Sequence, residues 1–184
     1  MIVIHIDTMH DTKDLALAYE GLNAKVLYNP SRKEIVRMLK AYPTEDLMCL
    51  GHGSGSGLFA RDFYGYAIGV TDISLLKGRN IIGIWCHAKT FAETYGLKGY
   101  FTDMFISNPT ECKAFGYQHT EEEVDEENIK FAKEVNRLCK EGKDLTEWVG
   151  ILQEGCDMSK DWVEFNYTKM RYFDGTQEKK IVLF

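Results

Sequence analysis

Two rhythms of apolar and polar positions alternate along the first two-thirds of the chain. Short apolar, β-branched runs at Ile2–Ile6, Lys25–Tyr28, Asp46–Leu50, Asn80–Trp85 and Gly99–Ile106 are separated by amphipathic stretches of helical period. Several of these runs are apolar at consecutive positions, as a strand covered on both faces requires. The pattern predicts a doubly wound α/β fold, a mostly parallel sheet whose strands are joined by crossover helices. One helix starts near Thr12. The next opens on a capping box, Ser31 with Glu34, sets Ile35, Val36 and Leu39 on one face, and stops at Pro43. A short helix follows Thr71, and Asn108 before Pro109 opens another.

Between Gly51 and Gly69 the rhythm breaks into Gly-His-Gly-Ser-Gly-Ser-Gly and an aromatic stretch, which predicts a loop and a small hairpin. Beyond residue 120, the acids Glu121–Glu123 and Asp125–Glu127 precede Phe131, Ala132, Val135, Leu138 and Cys139 at helical spacing. Acids suit the amino end of a helix, so the run reads as a solvated face without a ligand. Leu145, Trp148, Val149 and Leu152 mark a further helix, and Tyr167–Phe173, Asp174-Gly175 and Lys180–Phe184 read as a terminal hairpin. The expectation is one domain over residues 1–184. It has an α/β core over 1–117 and a helical extension with a terminal hairpin over 118–184.

Composition narrows the partners. With 22 basic and 28 acidic residues the net charge is −6, which offers no positive field to a phosphate backbone. Nucleic acid is therefore not an expected partner. The five cysteines, at 49, 86, 112, 139 and 156, are odd in number and include no C-x-x-C pair, against a disulfide framework or a structural zinc site. A reducing compartment follows. The opening Met-Ile-Val-Ile-His-Ile-Asp reads as a strand and not a signal peptide, and no apolar stretch is long enough to span a bilayer. The reading is a cytoplasmic protein with no membrane partner, no cofactor and no metal.

Ligands of open α/β sheets sit beyond the carboxyl ends of the strands. The residues found there are Asp7, Asn29, His52, Cys86, and Ser107 with Asn108. His52 and Cys86 would emerge on the same edge if the third and fourth strands are neighbours, which makes a base and a thiol meet. Cys86 would precede a helix whose amino-terminal dipole lowers its pKa. Gly53, with no Cβ in the way, could join the Cys86 N–H in an oxyanion hole. Cys49 reads as core, and Cys112, Cys139 and Cys156 as packing residues on helices. A phosphate loop is disfavoured, since Gly-Lys-[Ser/Thr] is absent and no helix follows the glycines. A phosphatase loop would need an arginine soon after Cys86, where His87, Ala88, Lys89 and Thr90 stand. Zinc held by His52, Cys86 and His87 has no supporting spacing.

Leu50-Gly51-His52-Gly53-Ser54-Gly55, then a hairpin, then Ile81-Ile82-Gly83-Ile84-Trp85-Cys86, resembles the caspase-like cysteine peptidases. That group includes caspases, gingipains, clostripain, separase and bacterial CHAT proteases. Its members end one apolar strand in His-Gly and the next in the nucleophilic Cys. The resemblance covers residues 1–117 as topology, and only the two motifs are specific. It implies a three-layer caspase-like fold with His52 as general base, Cys86 as nucleophile, and the N–H groups of Gly53 and Cys86 as oxyanion donors. The expected activity is that of a cysteine endopeptidase acting on a peptide or protein. The signature Gln-Ala-Cys-x-Gly is absent, so aspartate specificity does not carry over. Asp7, where relatives line the pocket for the residue before the scissile bond, would favour Arg or Lys there. Capping or hydrogen bonding its own loop is the competing role for Asp7. Asp62, Asp72 and Asp103 are further acidic candidates, His87 reads as mostly structural, and no third catalytic residue is evident. The alternative from another class is a caspase-like module that binds a partner without cleaving it.

Overall fold

The computed structural model describes residues 1–8 and 12–176. The strands are β1 (Ile2–Ile6), β2 (Lys25–Tyr28), β3 (Leu47–Gly51), β4 (Gly53–Ser54), β5 (Gly57–Phe59), β6 (Tyr66–Gly69), β7 (Asn80–Ile84), β8 (Lys98–Phe101) and β9 (Arg171–Asp174). The helices are α1 (Arg32–Ala41), α2 (Ile73–Leu76), α3 (Ala88–Tyr95), α4 (Pro109–Ala114), α5 (Glu121–Glu141), α6 (Trp148–Gly155) and α7 (Asp161–Thr168). A 3-10 helix, Lys13–Tyr19, takes the place of the helix expected near Thr12.

The main sheet has the order β2-β1-β3-β7-β8-β9. The first five strands run parallel, and β9 closes the edge antiparallel to β8. Side chains of one strand alternate between two faces, and the two cores divide accordingly. Val3, Met48, Leu50, Ile82, Ile84 and Tyr100 point to one core, where Val124, Phe131 and Val135 of α5 meet Leu152 of α6 and Trp162 of α7. Ile2, Ile4, Leu47, Cys49, Ile81 and Phe101 point to the other, against Ile35 and Leu39 of α1 and Phe91 and Ala92 of α3. Helices thus cover both faces, and each large apolar side chain fully buried there contributes about 1.5–3 kcal/mol. Cys49 is core, as expected.

Local signals account for several boundaries. Ser31 accepts from the Glu34 N–H while Glu34 reaches back, which starts α1. Asn108 caps α4 with Pro109 at its first position. Thr120 and Glu123 form a second capping box at the head of α5.

Three expectations need correction. The strand read as Gly99–Ile106 ends at Phe101, because the carbonyls of Thr102 and Asp103 turn to accept the N–H groups of Lys89 and His87. Tyr167 belongs to α7 and not to a strand; only Arg171–Asp174 is extended, and it pairs with β8. The proposed return strand Lys180–Phe184 lies outside the described residues. The hairpin after Gly51 is a three-stranded antiparallel sheet, β4-β5-β6, whose Leu58, Ala67 and Ile68 join the second core. Among the described residues, no helix is long and apolar enough to cross a membrane.

Candidate active site

β3 and β7 are neighbours in parallel register, with Leu50 opposite Ile84. His52 and Cys86 each lie two residues further on, at the same level. Adjacent strands sit about 4.8 Å apart. A two-residue step also keeps both side chains on the face of Leu50 and Ile84. The two residues line one cavity of about 40 Å³, together with Thr12, Leu15, Phe105, Ser107 and Asn128 from the loops and helix packed on that face.

Backbone constraints hold the histidine end. Gly51 has φ +141°, and a Cβ there would come within 2.4 Å of the Ile6 carbonyl oxygen, so only glycine lets β3 pass β1 into the His52 turn. At Gly53 a Cβ would lie 2.1 Å from Trp85 Cδ1 and 2.7 Å from the Gly57 carbonyl oxygen. Trp85 is buried against Phe91, and its indole N–H donates to the Ser54 carbonyl at 3.2 Å, tying the His52 loop to the residue before Cys86. The His52 ring lies 5.9 Å from that of Phe63.

A different set of bonds holds the cysteine end. Thr102, fully buried, takes over where the β7–β8 ladder stops: the Trp85 N–H donates to its hydroxyl at 3.2 Å, and the hydroxyl donates to the Trp85 carbonyl at 2.9 Å. His87 follows Cys86 in the left-handed region, φ 63°, an unusual state for a residue with a Cβ. Asp103 holds it there from two sides, its carbonyl accepting the His87 N–H at 3.1 Å and its carboxylate accepting from Nδ1 at 3.1 Å. Lys89 Nζ donates to the other carboxylate oxygen at 2.7 Å. Burial pushes the Asp103 carboxyl up, but the bond and charge of Lys89 and the bond from His87 prevail, so it is held below its ordinary value.

The Cys86 thiol behaves differently from the expectation of a lowered pKa. Burial pushes it up to about 11, against a weaker lowering effect of the Phe105 backbone, and the protonated thiol donates to the Phe105 carbonyl at 3.7 Å. The amino end of α3 offers little help, since the N–H groups of His87 and Lys89 are spent on the Asp103 and Thr102 carbonyls. Burial also raises Cys49 and Cys139, both to about 12.

His52 and Cys86 therefore line one cavity, whereas neither Gly53, which opens β4 beside Trp85, nor Asp7 is among the residues lining it. Asp7 is 2% exposed. Its carboxylate accepts from the Thr12 N–H and hydroxyl at 3.2 and 3.0 Å and from the Tyr28 hydroxyl at 2.5 Å. Asp72 is occupied by Arg32 at 2.7 and 2.8 Å. Among the described residues, no group of three or more His, Cys, Asp or Glu side chains could hold a metal ion.

Thr102 and Asn128 have no counterpart in the sequence reading. Asn128 carried a usable signal: it stands four residues after Val124 and three before Phe131, a polar side chain on the apolar stripe of α5. No family model and no curated protein matches this chain.

Proposed function

We propose that this protein is a cysteine hydrolase of the caspase-like kind, an endopeptidase in which His52 takes the proton of Cys86 as the sulfur attacks a peptide carbonyl. The observation that supports this reading is the shared cavity of His52 and Cys86, reached from equivalent positions on adjacent parallel strands. A thiol pushed up to about 11 by burial is protonated at neutral pH, which supports deprotonation of the sulfur during the attack and not beforehand. Amine release leaves a thioester, which water hydrolyses with His52 again accepting the proton. A preference for Arg or Lys before the scissile bond belongs to the same proposal. It would run through Asp7, with half-exposed Tyr28 as the group that must swing aside to uncover the carboxylate.

The same protonated thiol favours one second reading, a caspase-like module that binds and does not cleave. Acylation separates the two. With p-nitrophenyl acetate at pH 7, the hydrolase acylates Cys86 far faster than the thiolate fraction from its iodoacetamide pH profile allows, and His52→Ala removes that excess. A Cys86 that reacts only as its thiolate fraction permits, equally in wild type and His52→Ala, leaves the binding module standing.

A further inference from the structure

Asn128 is 8% exposed and helps wall the cavity that holds His52 and Cys86. Its Nδ2 donates to the Ser107 carbonyl at 2.8 Å. That bond fixes the amide orientation, since a flipped amide would set oxygen against oxygen. The other end, Oδ1, is buried and has no hydrogen-bond partner among the described residues. A buried acceptor left in that state costs about 1–3 kcal/mol, so it calls for a donor, and Asn128 is one of the residues lining the cavity. A volume of about 40 Å³ takes roughly two or three water molecules.

Resting on the hydrolase reading above, we propose that Asn128 is a positioning residue that holds the hydrolytic water. One O–H of the water donates to Asn128 Oδ1 while the other faces His52. The water oxygen then bonds to the thioester carbonyl carbon, and its second proton passes to His52. The tetrahedral adduct collapses with cleavage of the carbon–sulfur bond. Sulfur leaves as thiolate and recovers the proton from His52, and the carboxylic acid departs. Asn128 thus acts in deacylation and not in acylation.

Methanol provides the discriminating probe, because it has one O–H and can satisfy His52 or Asn128 but not both. Acetyl-Cys86 is generated with p-nitrophenyl acetate, and its partition between acetate and methyl acetate is measured in water–methanol mixtures. In Asn128→Leu the ratio of hydrolysis to methanolysis falls about tenfold, the value of one well-placed hydrogen bond, while the acylation burst stays within about threefold of wild type. An unchanged ratio in Asn128→Leu, with both reactions slowed alike, overturns the proposal and reduces Asn128 to a tether for Ser107. If Asn128→Leu does not fold, a crystal structure of the wild type decides: a water hydrogen-bonded to Asn128 Oδ1 upholds the assignment and a dry cavity refutes it. Failure of wild-type Cys86 to acylate in a His52-dependent way is a different result. It removes the hydrolase reading itself, and this assignment with it.

Discussion

Thr102→Val tests whether a single hydroxyl sets the position of Cys86. The substitution keeps the shape of a fully buried side chain and removes the oxygen that bridges both ends of the Trp85 peptide. The Trp85 N–H then loses its acceptor, at about 1–3 kcal/mol, whereas the Trp85 carbonyl loses one of two donors, since the Ala88 N–H still reaches it at 3.1 Å. Together these amount to about 3 kcal/mol. In a chain of this length that corresponds to a melting point lower by roughly 6–12 °C. Thr102→Ser is the control: it keeps the hydroxyl and loses one buried methyl, at about 1 kcal/mol. Chemical denaturation of the three proteins should rank them wild type, Ser, Val, with an unchanged denaturant slope. The acylation burst with p-nitrophenyl acetate should follow the same order, with Val at least about tenfold slower, because a small displacement of a nucleophile is expensive. A Val variant as stable as the Ser variant would refute the argument.

Gly53→Ala should lower stability by about 1–3 kcal/mol and slow acylation of Cys86, since its Cβ lands 2.1 Å from Trp85 Cδ1 and must displace the indole from the Ser54 carbonyl; thermal denaturation and burst kinetics on the purified variant check both. Asp7→Asn separates the two roles of that residue. Burial alone would raise the Asp7 carboxyl, but the Tyr28 and Thr12 hydrogen bonds hold it below its ordinary value of 3.8. Its contribution to stability is thus complete above about pH 4 and disappears as the pH falls through the folded value. Denaturant midpoints of wild type and Asp7→Asn should therefore differ most at pH 7 and converge as the pH falls below the folded value. A panel of fluorogenic peptides then reads specificity: loss confined to Arg and Lys substrates places Asp7 in recognition, and equal loss across the panel leaves it a structural residue.

Legibility in the sequence followed the physics of each element. Consecutive apolar positions locate β1 and β7 because both faces of the sheet are covered there, and capping residues locate α1 and α4 because their bonds are local. His52 and Cys86 could be placed beyond neighbouring strands because parallel strands send their carboxyl ends to one edge. The errors share another cause. Thr102 to Ile106 has strand composition, yet its carbonyls bond to His87 and Lys89 and the backbone of Ile106 bonds to Asn166 in α7, sixty positions away. No local pattern carries such a pairing. Similarly, the lowered thiol pKa expected from a helix dipole was defeated by burial, which depends on Phe105 and its neighbours closing over Cys86. Asn136 and Asn166 look like solvent-facing helix residues, but each is buried, with its amide donating to a backbone carbonyl far away along the chain.

The antiparallel partner of β8 comes from Arg171–Asp174, more than sixty positions after the strand it covers. During synthesis, the parallel part of the sheet can assemble while the outer rim of β8, carrying Lys98 to Phe101, still has open N–H and C=O groups. An open rim of this kind recruits other chains. The interval between translation of β8 and arrival of β9 is therefore the period when this protein is most exposed to aggregation, and truncations before residue 171 would make that exposure permanent.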